Sequence, residues 1–142
     1  LLSECPMVAF ATTAIEPYVD SLDACQAGAT LLHVSLRDLS ADAILSSHNI
    51  VDDLDHVNRA ATSIQLASAR TGNTDFVHCT LGDILLGHAH LPARDDRRVI
   101  FSPFGLGVLD LAVAHLVQKK IGTDGGGTHV ESFLPKTLHS SI

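Results

Sequence analysis

The chain has 142 residues, 46% hydrophobic and 18% charged, which is one domain's worth of sequence with enough apolar content for a core and too little charge for a disordered segment. Nine Lys and Arg against 16 Asp and Glu give a net charge of −7, and no basic run exceeds the pairs Arg97-Arg98 and Lys119-Lys120, so neither nucleic acid nor an anionic membrane surface is an expected partner. Cys5, Cys25 and Cys79 are odd in number and lack CxxC spacing, which predicts free thiols and a cytoplasmic location, and the longest apolar stretch, 108–117, is too short for a membrane span.

Leu1-Leu2-Ser3-Glu4-Cys5-Pro6 carries no initiator methionine and reads as the last turn of a helix, as expected of a piece of a longer protein. Apolar runs at 7–11, 30–34 and 49–51 follow, each bounded by turn residues. The intervals between them have room for a crossover, which parallel neighbours need and hairpins do not. Their continuous apolarity predicts strands buried on both faces of a parallel sheet. The first connection is read as a short helix over 21–26 capped by Ser21, and the second as a helix over 40–45 capped by Ser40.

From Asp55 the pattern becomes helical, with Val57, Ala60, Ala61, Ile64, Ala67 and Ala69 forming one stripe that Gly72-Asn73 closes. A second helix is predicted over 80–86, ending at Gly87, and a charged, solvated loop over 93–98. A strand at 99–101 leads through the turn Ser102-Pro103-Phe104-Gly105 into a helix over 107–120, apolar almost all round and therefore expected to lie buried between layers. A glycine-rich connector at 122–127 and an extended piece at 130–134 complete the reading.

In parallel α/β sheets, ligands bind beyond the carboxyl ends of the strands. Thr12 and Thr13 there fit either a cofactor lying across the strand ends or an ordinary polar turn. His33, Arg37 and Asp38 supply a hydrogen-bond donor, an anion anchor and a base, or else a surface ion pair. Asp52-Asp53-Leu54-Asp55-His56 resembles a hard-metal cluster, but aspartates where a strand meets a helix are expected helix caps, so no metal is predicted. His88-Ala89-His90 lacks further ligands at a zinc spacing. Gly105-Leu106-Gly107 fails as a dinucleotide fingerprint because Asp110 occupies the third glycine position, yet it still permits close approach of a ligand.

The stretches Val99-Ile100-Phe101-Ser102-Pro103-Phe104-Gly105-Leu106-Gly107-Val108-Leu109-Asp110-Leu111-Ala112, Leu32-His33-Val34-Ser35-Leu36-Arg37-Asp38-Leu39 and Val51-Asp52-Asp53-Leu54-Asp55-His56 resemble the ornithine cyclodeaminase/μ-crystallin family. Phe10-Ala11-Thr12-Thr13-Ala14 and Thr71-Gly72-Asn73-Thr74-Asp75-Phe76 fit its 2,3-diaminopropionate-forming dehydrogenase subgroup. The resemblance implies an α/β fold, the C-terminal half of a Rossmann-type doubly wound parallel sheet plus C-terminal helices. Residues 1–106 would complete the NAD(P)-binding domain, and 107–142 would return to a substrate and dimerisation domain that precedes this chain.

The cofactor implied is NAD, with NADP left open, and the partner a small amino-acid substrate held by a homodimer. The reaction implied is oxidative cleavage of N-(2-amino-2-carboxyethyl)-L-glutamate to 2,3-diaminopropionate and 2-oxoglutarate, supplying a siderophore or peptide-antibiotic precursor. Asp38 falls on the family's acid/base. The cofactor contacts implied are Thr12, Thr13, His33, Ser35, Ser102, Phe104 and Gly105, with Arg37 for the substrate. Cyclodeaminases read Gly-Gly-Asp at Leu36-Arg37-Asp38 and Asp-Ser-x-Gly at Ser102-Pro103-Phe104-Gly105, departures that favour the dehydrogenase subgroup. The alternatives are a cyclodeaminase or ketimine reductase of the same family, or a crystallin-like module that binds NAD(P) without turnover.

Overall fold

A computed structural model describes residues 2–59, 61–91, 95–128 and 130–131. The chain divides at the Leu106/Gly107 junction into two units. The first is built on five strands, β1 (Met7–Phe10), β2 (Thr30–His33), β3 (His48–Val51), β4 (Val77–Thr80) and β5 (Val99–Ser102). They form one sheet in the order β1-β2-β5-β3-β4, and every neighbouring pair is parallel. β5 therefore inserts between β2 and β3, which are consecutive in the chain. Its last residue, Ser102, pairs with Val51 and lies one position beyond the Leu32–Phe101 pair, beside the end of β2.

Local chemistry sets the helices. In α1 (Ala41–Leu45) the Ser40 hydroxyl accepts from the Ala43 amide at 3.2 Å, as its spacing predicts. The stripe from Asp55 is two helices instead of one, α2 (Leu54–Val57) and α3 (Ser63–Thr71). Thr62 separates them: its hydroxyl donates to the Val57 carbonyl and accepts from the Gln65 amide, ending one helix and capping the next. Ala61 adopts φ +44° at this break, and Ala60 lies outside the described residues. Gly72 closes α3 in the left-handed conformation, as expected. Thr80 and Asp83 form a capping box at α4 (Leu81–Leu85).

Residues 21–26 form turns, not a helix, with the Ser21 hydroxyl accepting from the Asp23 amide and the Cys25 amide donating to the Leu22 carbonyl. Leu22 and Cys25 anchor the segment in the core instead, and the three cysteines are free. β4 has no forerunner in the sequence reading, because His78 and Thr80 interrupt its short apolar pattern. Positions 93 and 94 of the charged loop and 132–134 of the extended piece lie outside the described residues, and Val130 has no regular structure.

The core lies on one face of the sheet, where Val8, Phe10, Leu31, Val51 and Ile100 meet Leu39, Ile44, Val57, Ile64 and Ala67 of the overlying segments. The other face is not buried as continuous apolarity predicts. Met7 and Ala9 are exposed, while Thr30, Leu32, Val99 and Phe101 are half-buried. Topology supplies the reason. The crossovers carrying α1, α2 and α3 run in one direction along the sheet, and the β4-to-β5 connection alone returns, so right-handed crossovers leave only the five-residue α4 for the second face.

The second unit contains α5 (Gly107–Asp124), which runs four residues beyond the expected end and absorbs Gly122. All its residues are exposed, Leu111 at 71%, in contrast to the burial that its apolar composition predicts. Composition selects an apolar helix surface, but burial requires a neighbour that composition cannot specify. Among the described residues no helix is long and apolar enough to cross a membrane.

Candidate functional site at the strand ends

The carboxyl ends of β1, β2 and β5 sit side by side, and the segments leaving them are laced together. The Val34 and Ser35 amides both donate to the Phe10 carbonyl at 3.0 Å, folding the loop after β2 over the end of β1. The Tyr18 and Val19 amides donate to the Asp38 carbonyl at 3.1 and 3.0 Å, and Val19 forms a parallel bridge with Leu39. Asp38 is thereby enclosed, with no exposed surface.

Three hydroxyls converge on its carboxylate. Thr12 Oγ1 and Tyr18 Oη donate to Oδ1, the latter at 3.0 Å, and Ser35 Oγ donates to Oδ2. Burial by itself pushes the Asp38 carboxyl up, but the hydrogen bonds from Ser35, Thr12 and Tyr18 outweigh it and hold the group below the usual carboxylate range. Of the three hydroxyls that contact it, those of Thr12 and Tyr18 belong to exposed residues.

His33 ends β2 and is 1% exposed, its ring edge-on to Phe10 with centroids 6.3 Å apart. Nε2 lies 3.3 Å from the Asp38 amide nitrogen and Nδ1 lies 3.3 Å from Ser102 Oγ. Burial pushes the imidazole's pKa down, and the Asp38 carboxylate, 3.4 Å from Nε2, only partly offsets this. The ring is therefore neutral at neutral pH. The sign of the pH effect follows: the unfolded chain takes up a proton on His33 near pH 6.5 and the folded chain only at lower pH. Stability is expected to fall as pH drops below about 6.5. Urea midpoints at pH 7.5 and pH 5.5 check this, since the drop should be smaller in His33→Asn.

The turn after β5 is held by a residue from β3's exit. Asp52 Oδ2 accepts from the amides of Phe104 at 2.9 Å and Gly105 at 2.7 Å, while Oδ1 accepts from the Asp53 amide at 2.8 Å. Asp53 caps α2 by accepting from the His56 amide at 2.9 Å, as its position predicts. Gly105 has φ +98°, and a Cβ there would meet nothing within 4 Å. Gly105→Val is thus limited by backbone strain of about 1–3 kcal/mol, not by a clash within the chain. If a ligand uses the open space, NADH affinity measured by fluorescence titration should fall by more than that strain explains.

A narrow crevice opens between these loops, with free volume of only about 10 Å³, bordered by His33, Ser35 and Ser102 on its polar side and Leu36, Ile64 and Phe104 on its apolar side. Among the described residues no cation is among its walls. Of the residues singled out in the sequence, Thr12, His33, Ser35, Asp38 and Ser102 form one hydrogen-bonded network, and Phe104 walls the crevice beside it. Gly105, next in the turn, is held by Asp52 through its amide. Thr13 is exposed and makes no side-chain hydrogen bond among the described residues. The Arg37 guanidinium donates to the Ile15 carbonyl at 3.1 Å. Tyr18 is a member that sequence reasoning missed, and Asp52, expected as a helix cap, also holds the Phe104 and Gly105 amides. A lone tyrosine after Pro17 and a carboxylate immediately beyond a strand were the available signals.

A parallel sheet with its polar groups gathered at the carboxyl ends of the strands defines a Rossmann-type α/β domain, and solved structures share it. The chain superposes on Thermococcus litoralis Δ1-pyrroline-2-carboxylate reductase, solved with NADH and L-proline, with TM-score 0.82 at 23% identity, covering 91% of this chain and 42% of that one. An archaeal alanine dehydrogenase dimer with bound NAD gives TM-score 0.77 at 22% identity over 92% and 42% of the two chains. A probable ornithine cyclodeaminase from Bordetella pertussis gives 0.74 at 24% identity over 90% and 43%.

In sequence the chain is 27% identical over 121 residues to the N-((2S)-2-amino-2-carboxyethyl)-L-glutamate dehydrogenase of Staphylococcus aureus, a match covering 79% of this chain and 35% of that protein. The chain thus spans about a third of that relative's length. No family profile matches it. The sequence relative and the shared fold together support the ornithine cyclodeaminase/μ-crystallin family that the motifs resemble.

Proposed function

We propose that this chain supplies the nicotinamide side of the active site in an NAD-dependent amino-acid dehydrogenase. The observation that carries the reading is the strand-end network, in which Thr12, Ser35, His33 and Ser102 gather around buried Asp38 beside a crevice without cations. Such a donor set suits an uncharged amide and a reacting carbon better than a phosphate. In this reading Ser35, Ser102 and Phe104 would lie against the nicotinamide at the crevice's entrance, and the open space at Gly105, where a Cβ would meet nothing within 4 Å, would leave the turn accessible to it. When bound, it supplies the two-electron acceptor for oxidation of an amine.

The protein's own share is positioning and proton handling. The turns at Ser35 and at 102–105 hold the substrate's α-carbon from two sides, and Arg37 anchors a substrate carboxylate. Asp38 receives the proton that amine oxidation and hydrolysis release, through a hydroxyl of Thr12, Tyr18 or Ser35. The three donors hold the carboxyl below the usual range, so Asp38 is ionised before each turnover and holds the proton only until it passes to water. The substrate in this reading is N-(2-amino-2-carboxyethyl)-L-glutamate, split into 2,3-diaminopropionate and 2-oxoglutarate as a siderophore or peptide-antibiotic precursor. The relative's activity and the Leu36-Arg37-Asp38 departure from cyclodeaminases support this choice. A cytoplasmic homodimer suits the free thiols and the dimeric neighbour.

The test is absorbance at 340 nm with the whole protein, NAD and one amino acid at a time. N-(2-amino-2-carboxyethyl)-L-glutamate should produce NADH, and ornithine should not. NADH consumption with Δ1-pyrroline-2-carboxylate, and none produced with the glutamate conjugate, would replace the dehydrogenase reading with a reductase.

A further inference from the structure

His33 has two ring nitrogens and a fixed neighbour for each. The Asp38 amide donates toward Nε2, 3.3 Å away, which then offers its lone pair, against the rival claim of Asp38 Oδ2, 3.4 Å from the same nitrogen, as acceptor for a proton there. In the neutral ring the proton then sits on Nδ1 and is given to Ser102 Oγ at 3.3 Å. The other tautomer would set an Nε2 proton against the Asp38 N–H and leave Ser102 without this donor. A serine that accepts from histidine keeps its own proton to give. Among the described residues Ser102 makes no other side-chain hydrogen bond, and it borders the crevice at 6% exposure.

We propose that His33 is a positioning residue that, by donating its Nδ1 proton to Ser102, turns the Ser102 hydroxyl into a hydrogen-bond donor aimed at an uncharged carbonyl acceptor in the crevice. Building on the reading above, that acceptor is the carboxamide oxygen of the nicotinamide. An anion is the poorer ligand here, because the Asp38 carboxylate lies 3.4 Å from His33 and no cation is among the described residues of the crevice walls. One neutral donor held rigid by a buried ring selects an amide by geometry.

The experiment titrates the whole protein and its variants with two probes, NADH and ADP-ribose, which lacks the nicotinamide. Ser102→Ala and His33→Phe should each weaken NADH about tenfold, the size of one hydrogen bond, and leave ADP-ribose within about twofold. The double variant should lose no more than either single one, and His33→Asn, which retains a side-chain N–H, should recover most of the affinity. Equal losses for both probes, or additive losses in the double variant, would overturn the inference while the dinucleotide reading stands. A wild-type protein that binds neither probe overturns that reading and this one with it. Independently of any ligand, ¹⁵N NMR of His33 in the wild-type protein at pH 7.5 should show a protonated Nδ1 and a bare Nε2, and the opposite tautomer would also refute it.

Discussion

Asp38→Asn is expected to lower turnover of the whole enzyme by roughly 10²–10⁴-fold, the range for losing a general base, with NADH affinity within a few-fold of wild type. Asparagine has nearly the volume of aspartate but offers one oxygen where the carboxylate offers two, so the hydroxyls of Thr12, Tyr18 and Ser35 cannot all donate to it at once. A stability loss of about 1–3 kcal/mol should accompany the kinetic one, because a buried hydroxyl is left poorly paired. The two effects separate by pH. The folded-state carboxyl lies below its unfolded value, so its stabilisation is present above about pH 4 and is lost as pH falls through the folded value. Asp38→Asn should remove that acid limb from the urea midpoint without touching the neutral plateau's pH independence. A variant with lowered stability and a wild-type rate would make Asp38 solely the hub that joins the 12–18 segment to the 35–38 loop.

Asp52→Ala should weaken both the fold and the site, by about 2–3 kcal/mol in unfolding free energy and about tenfold in NADH affinity. One carboxylate oxygen holds two successive amides, those of Phe104 and Gly105, and the other holds the start of α2. Bonds to a charged acceptor are the stronger class, and alanine leaves all three donors to water. The turn that walls the crevice with Phe104 then loses its fixed position. Asp52→Asn retains a single acceptor oxygen and should restore about half of each loss. Chemical denaturation and fluorescence titration on the same samples read both quantities. Unchanged NADH affinity with lowered stability would place the 103–105 turn outside the site.

Features that depend on residues close together in the chain are legible in the sequence itself. Ser40, Asp53 and Gly72 cap or stop helices through bonds within three or four residues, so residue type and spacing suffice. The apolar runs at 7–11, 30–34, 49–51 and 99–101 mark strands for the same reason, and the lengths between the first three imply parallel crossovers. The break at Thr62 is also local, since Thr62-Ser63-Ile64-Gln65 has the spacing of a cap, but the small-residue stripe on either side obscures it.

What the sequence could not decide is where β5 goes. Its insertion between β2 and β3 is a choice among strand partners that offer nearly equal backbone hydrogen bonding, settled by packing over the whole sheet. That choice brings Ser102 to His33 and the 103–105 turn to Asp52, partners 69 and 52 or 53 residues apart in the chain. It also leaves the Phe101 face with only α4 above it, against the two-sided burial that the composition of the strands implies. Asp38 shows the same division in one residue. Its place after a strand marks it as a candidate for chemistry, but its closure under three hydroxyls comes from Tyr18 and Thr12 on a different strand's exit. Desolvation and hydrogen-bond geometry, the quantities that set its acidity, exist only once those segments are brought together.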